Sequence, residues 1–246
     1  MGSVEEWTDP YLSMYCRVPL LGDGVCRICH GGPFAGEDVC HSCRSVTAQV
    51  SHPAHAIVPI SICEGYGQLH TVLRQYKDGG SDSTRRKFGL QLAATVARFL
   101  RGHRECMALA TEADFDLVCA VPSSGDRQGT HPLVDVINKV GAVRALVRPG
   151  LVRGPGPLGH AAPSDEGYTV SESVSGRHVL LVEDTFTTGS RCQSAASALT
   201  LAGAASVRVL VVGRYMTPYN KACQAILDAG AETPFNFSEC CLVEHS

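Results

Sequence analysis

Short apolar runs alternate with longer amphipathic stretches over most of this chain. IVPISI (57–62) is continuously apolar, the pattern of a strand buried on both faces. LHTVLRQYK (69–77) follows with helical spacing and is stopped by Gly79-Gly80. SDST (81–84) supplies cap residues for a longer helix, RRKFGLQLAATVARFLRGH (85–103), in which Phe88, Leu92, Val96, Phe99 and Leu100 share one face. FDLVCAV (115–121) predicts a strand, HPLVDVINKVGA (131–142) a helix and VRALVR (143–148) another strand. After a Pro/Gly-rich stretch from about 149 to 166 come a strand, HVLLVED (178–184), a helix, RCQSAASALTLAG (191–203), and a strand, SVRVLVVGR (206–214). This alternation predicts an α/β fold, a parallel sheet flanked by helices. Ligands of such sheets bind beyond the carboxyl ends of the strands, and both 121–130 and 183–189 lie at such ends.

The first 50 or so residues follow neither period. They are rich in Cys, His, Gly and Pro, and they carry two CxxC pairs, Cys26-Arg-Ile-Cys29 and Cys40-His-Ser-Cys43, separated by ten residues. Each pair offers two thiolates from a tight knuckle. GGPFAG (31–36) lets the chain double back, so that four sulfurs can close a tetrahedron around a structural Zn²⁺. The metal would stabilise a module too small to bury a core of its own. A redox-active CxxC, or unliganded thiols, are the competing readings, and His30 and His41 abut the cysteines as substitute ligands. The linker SHPAHA (51–56) suggests a division into a zinc-binding module, 1–52, and a larger domain, 53–246.

Composition narrows the class. With 246 residues, 44% hydrophobic and 18% charged, the chain has material for a real core. A net charge of −3 gives no global attraction to nucleic acid or membrane. No apolar stretch approaches the roughly 20 residues of a membrane span, and the acidic start MGSVEEWTDPYL lacks the pattern of a secretory signal. Twelve cysteines without such a signal point to a reducing compartment, and the expectation is a cytoplasmic protein. Arg85, Arg86, Lys87, Arg98 and Arg101 make one helix basic; a solvated face is the plainer reading and a nucleic-acid patch the sharper one.

The chemistry is concentrated in VLLVEDTFTTG (179–189). Thr185, Phe186, Thr187, Thr188 and Gly189 form a turn that runs into a helix, where unpaired N–H groups and the helix dipole favour an anion. Threonine hydroxyls add donors, and the glycine allows close approach of a phosphate monoester. Glu183 and Asp184 would repel a bare phosphate, so they are expected to accept hydrogen bonds from vicinal ribose hydroxyls of the same ligand. Elsewhere, GPGPLG (154–159) matches GxGxxG spacing, but Pro155 and Pro157 lack the N–H donors a dinucleotide fingerprint uses. Cys192 reads as a buried thiol. Cys240-Cys241 read equally as part of a packed strand or as a functional pair, and Phe235 and Phe237 suggest that the tail docks, as a hood over an acceptor pocket.

VLLVEDTFTTG resembles the phosphoribosyl pyrophosphate (PRPP)-binding motif of type I phosphoribosyltransferases. With the four-cysteine segment ahead of it, the chain is similar to the ComF (competence-protein F) family, in which a zinc module precedes a phosphoribosyltransferase-type domain. Tyr76-Lys77-Asp78-Gly79-Gly80 is similar to a Lys-Tyr-x-Gly segment of that family, scrambled after the lysine. The resemblance implies a type I phosphoribosyltransferase-like sheet and PRPP with Mg²⁺ as ligand. It implies a diphosphate loop of Ser123, Ser124 and Gly125 with Arg127 adding charge, and a mobile loop contributing Arg148, Arg153 and His160. Only Arg127 and Gly129 correspond to the Arg-Gly-Phe-Asn-Gln run usual in the family. The expected activity is transfer of ribose 5-phosphate to a nitrogen acceptor with release of pyrophosphate. The alternative is a PRPP-sensing or competence-related regulator whose zinc module binds a protein or nucleic acid. The acceptor and the oligomeric state are left open.

Overall fold

The computed structural model describes residues 3–109, 113–122, 131–148 and 150–243. Its centre is a four-stranded, wholly parallel sheet of β1 (Ile57–Glu64), β2 (Leu117–Ala120), β5 (His178–Phe186) and β6 (Ser206–Met216), in the order β1-β6-β5-β2. Period-two alternation sends successive side chains to opposite faces. Leu180, Val182, Leu210 and Val212 therefore join one apolar cluster, and Val179, Leu181, Val209 and Val211 join another. Both faces are covered, which is why these strands read as unbroken apolar runs.

The first face carries α3 (Gln68–Asp78), α4 (Asp82–Leu109) and α5 (Pro132–Ile137). Leu92, Val96, Phe99 and Leu100 of α4 are buried there, as their spacing predicts. The opposite face carries α6 (Ser190–Leu201), the cysteine segment with α2 (His41–Thr47), and an antiparallel pair, β3 (Leu151–Arg153) and β4 (Tyr168–Val170). The last helix, α7 (Lys221–Glu232), reaches the first core through Ile226 and Leu227. The tail after it places Phe235 and Phe237 against Tyr15. Among the described residues, no helix is long and apolar enough to cross a membrane.

Two segments differ from the sequence-based expectation. VRALVR is not a strand: Arg144–Leu146 form a 3₁₀ turn, and Val147 alone makes a bridge, to Val118. The buried positions Val140, Val143 and Val147 have helix-like spacing, and the chain reaches the edge of β2 only at its end. The start is also ordered. Ser3 and Glu6 form a capping box for α1 (Val4–Thr8), a 3₁₀ turn spans Asp9–Met14, and α1 packs on α4. There Arg98 donates to Thr8 and pairs with Asp9, while Arg101 pairs with Glu5, so acids of the N-terminus neutralise part of α4's basic face.

Candidate functional site

Strand β5 runs two residues beyond its expected end, so Thr185 and Phe186 still belong to the sheet and the turn is Thr187–Gly189. Gly189 caps α6 at φ +88°, a conformation open to glycine at little cost. A Cβ there would lie 2.5 Å from the Phe186 ring. Phe186 is thus the buried floor of the turn, with the Arg214 guanidinium over its ring, 5.0 Å from the ring centre.

A cavity of about 320 Å³ opens above this turn, lined by Leu158, Gly159, His160, Glu183, Thr185, Thr187, Thr188, Gly189, Ser190 and Arg191. It lies at the carboxyl end of a central strand and at the N-terminus of α6. The Ser190 hydroxyl is buried and has no hydrogen-bond partner among the described residues, and the same holds for Oε2 of Glu183. Buried polar atoms are nearly always paired, and these two unpaired ones lie at one cavity. The Thr188 hydroxyl donates to the His160 carbonyl, which ties the 158–160 segment to the turn.

The two acids are held differently. Asp184 is buried beneath α3: the Tyr76 hydroxyl donates to its Oδ2, Lys77 Nζ lies 2.5 Å from the same oxygen, and Arg191 is 3.9 Å from Oδ1. Burial alone would raise its pKa, but Lys77, Arg191 and these hydrogen bonds hold it below the ordinary carboxylate value. Glu183 faces the cavity with Arg191 3.2 Å from Oε1. Burial prevails there and pushes it up to about 7, against the pull of Arg191. Cys192, one turn into α6, is pushed well up by burial and then by Glu183, so it is an inert core thiol.

Of the residues expected from sequence, Glu183, Thr185, Thr187, Thr188, Gly189 and His160 line one cavity, and Asp184 and Phe186 do not. Arg153 braces its own loop, donating to the carbonyls of Gly154, Gly156 and Gly167 at 2.5–2.7 Å. Arg148 is turned to the carbonyls of Ala145 and Val147. The GPGPLG segment crosses between β3 and β4, followed by a 3₁₀ turn, Asp165–Gly167, and not by an α-helix. Ser123, Ser124, Gly125 and Arg127 lie outside the described residues. Ser190, Arg191 and the Tyr76–Lys77 pair are the contributors sequence reasoning missed as ligands or supports of the acids. Only the last carried a local signal, the segment quoted for its family likeness.

The four cysteines meet. Cys26, Cys29, Cys40 and Cys43 are buried with their sulfurs within 4.8 Å of one another, and Cys29 and Cys40 Sγ are 3.8 Å apart. Zinc–sulfur bonds of ~2.3 Å give a tetrahedron with edges of about 3.8 Å, so the donor set fits Zn²⁺. Hydrogen bonds from Cys29, Cys40 and Cys43 pull Cys26 below the ordinary thiol value, and bonds to Cys26, Cys29 and Cys40 push Cys43 above it. Four such thiols ionise together only around a cation. Burial works against the charge of Arg214, but Cys29, Cys40 and Cys43 outweigh it and keep it protonated. His30 is turned away from the sulfurs, its Nδ1 2.9 Å from the Pro19 carbonyl.

No protein-family model and no curated protein matches the chain. Similar solved structures include the allosteric regulatory enzyme of purine biosynthesis, at 20% identity over 47% of this chain and 25% of that one, with a TM-score of 0.29. A hypoxanthine-guanine-xanthine phosphoribosyltransferase is similar at 16% identity over 49% of this chain and 74% of that one, with a TM-score of 0.26. The matched part of this chain spans only a quarter of the first of these proteins.

Proposed function

We propose that the cavity above Thr187–Gly189 binds PRPP and that the chain is a phosphoribosyltransferase of ComF-like organisation, a zinc module joined to a type I phosphoribosyltransferase-type domain. The observation that carries this reading is the pairing, at one helix N-terminus, of an orphaned Ser190 hydroxyl with an orphaned Glu183 carboxyl oxygen. The first suits the 5-phosphate, together with the N–H groups of α6, the threonine hydroxyls and Arg191. The second suits ribose hydroxyls: a carboxyl with a pKa of about 7 both accepts and donates hydrogen bonds near neutrality. The segment 123–127 would take the diphosphate.

In the reaction, a nitrogen lone pair forms the bond to C1 as the C1–O bond breaks, and the pair of that bond leaves with pyrophosphate. Mg²⁺ on the diphosphate would supply charge neutralisation to the leaving group. This chain's residues position the ribose phosphate and, through the 158–160 segment, limit the access of water. Calorimetric titration of PRPP with and without Mg²⁺ tests the reading. Mg²⁺-dependent micromolar binding, lost in Ser190→Ala/Glu183→Gln, is expected; absence of binding by the folded wild-type protein overturns it.

One observation favours a second reading, a PRPP-responsive regulator without turnover: both acids are already ion-paired, Asp184 to Lys77 and Glu183 to Arg191. Pyrophosphate release in the presence of nitrogenous acceptors separates the two. Binding to DNA or RNA as the main task is disfavoured by the internal pairing of Arg98 and Arg101.

A further inference from the structure

The vicinal cysteines of the tail diverge. Cys241 is buried against the core, with its thiol 3.9 Å from the Pro59 carbonyl, whereas Cys240 is half-exposed and faces α4. On α4, His103 and Cys106 stand one turn apart. The His103 Nδ1, Cys106 Sγ and Cys240 Sγ atoms all fall within 4.8 Å of one another.

Two features suit this cluster to a metal. His103 is buried, and its Nε2 lies 2.9 Å from the Phe237 carbonyl. A carbonyl only accepts, so Nε2 carries a proton, and it is Nδ1 that faces Cys106 Sγ, 3.9 Å away. A backbone carbonyl fixing the far nitrogen of an imidazole is the usual outer support of a metal-ligating histidine. The His103–Cys106 separation also suits a tetrahedral ion: bonds of ~2.1 Å to nitrogen and ~2.3 Å to sulfur put those two atoms about 3.6 Å apart, while Cys240, within 4.8 Å of both, closes by at most about 1 Å.

We propose that His103, Cys106 and Cys240 form a second metal site, taking Zn²⁺ through one imidazole and two thiolates. A fourth ligand, water included, completes the tetrahedron, and the two half-exposed cysteines leave a path for the ion to enter. The site joins residues on opposite sides of the sequence and fastens the tail to α4. It lies on the α4 face of the sheet, away from the cavity and the four-cysteine cluster, and does not rest on either.

The test uses the full chain purified under reducing conditions and saturated with Zn²⁺, with excess metal removed. Native mass spectrometry should find about two zinc ions per wild-type chain, and about one in Cys106→Ser and in Cys240→Ser. Reconstitution of the reduced chain with Co²⁺ in place of Zn²⁺ should show thiolate-to-metal charge transfer saturating at about two equivalents in the wild type and at about one in each variant. The two variants alter different elements, and near-native circular dichroism of either one suffices for the comparison. A saturated wild-type chain holding one zinc overturns the proposal, as does a Cys106–Cys240 disulfide persisting under reductant and zinc.

Discussion

Replacing Lys77 with methionine takes from Asp184 its nearest cation. Asp184 is buried, with Lys77 Nζ at 2.5 Å and the Tyr76 hydroxyl on the same oxygen, while Arg191 stays 3.9 Å from the other. Removing one partner of a buried pair costs about 3–5 kcal/mol, because the remaining charge is left uncompensated. Protonation sets a ceiling on that cost: neutralising a carboxyl with an unfolded-state pKa of ~3.9 costs about 4 kcal/mol at pH 7 and about 1.5 kcal/mol at pH 5. With Tyr76 and Arg191 in place, Lys77→Met should lose about 3 kcal/mol at pH 7 and about 1.5 kcal/mol at pH 5. In the wild type the folded-state pKa of Asp184 is depressed, so its stabilisation is present above the unfolded value and lost only as pH falls through the folded one. No part of it is lost between pH 7 and 5. Urea unfolding followed by circular dichroism measures the difference between variant and wild type at each pH, so that other titrating groups cancel to first order. Lys77→Met/Asp184→Asn should recover most of the loss at pH 7. A variant as stable as wild type at pH 7, or a deficit equal at both pH values, would refute the assignment of Lys77 as the counter-ion.

Glu183 should give the opposite slope: its folded pKa of about 7 lies above the unfolded value, so ionisation destabilises the fold. Wild-type stability should rise by about 2 kcal/mol from pH 7 to pH 5 on its account, and Glu183→Gln should remove that rise in urea titrations. Gly189→Ala forces a Cβ into the Phe186 ring at φ +88°; a loss of about 1–2 kcal/mol and a weakening of PRPP affinity are expected, and unchanged calorimetry would count against the turn as a cradle. Chelation of zinc should lower the thermal midpoint and leave Arg214 buried beside four thiols without a metal; an unchanged midpoint would mean that the cysteines do not hold a structural ion.

The strands of the sheet were legible because each is buried on both faces, which leaves an apolar run no helix on a protein surface would show. The long helix was legible because its apolar stripe repeats through three turns after a cluster of cap residues. VRALVR was misread because a short β-branched run has no period of its own; the helix-like recurrence Val140, Val143, Val147 carried the better signal. The first turn of α1 was likewise encoded locally, in Ser3-x-x-Glu6, and was hidden by the Cys/Gly-rich segment that follows. Arg191 and Lys77 belong to another category. Their roles depend on which helix is laid over the end of β5, and no local pattern states that.

The acidic pair itself shows where sequence reading stopped. As neighbours in a motif, Glu183 and Asp184 look like one feature with one ligand. On a strand, however, adjacent side chains leave by opposite faces, so two consecutive acids inside β5 cannot point the same way without a bulge. Here Glu183 lines the cavity beside the α6 N-terminus, and Asp184 goes to the other side, where Tyr76 and Lys77 of α3 receive it. Their environments push the two pKa values apart, one up to about 7 and one down. Such a division gives two roles to two carboxylates: one available to a ligand, the other anchoring α3 to the end of the strand that carries the site.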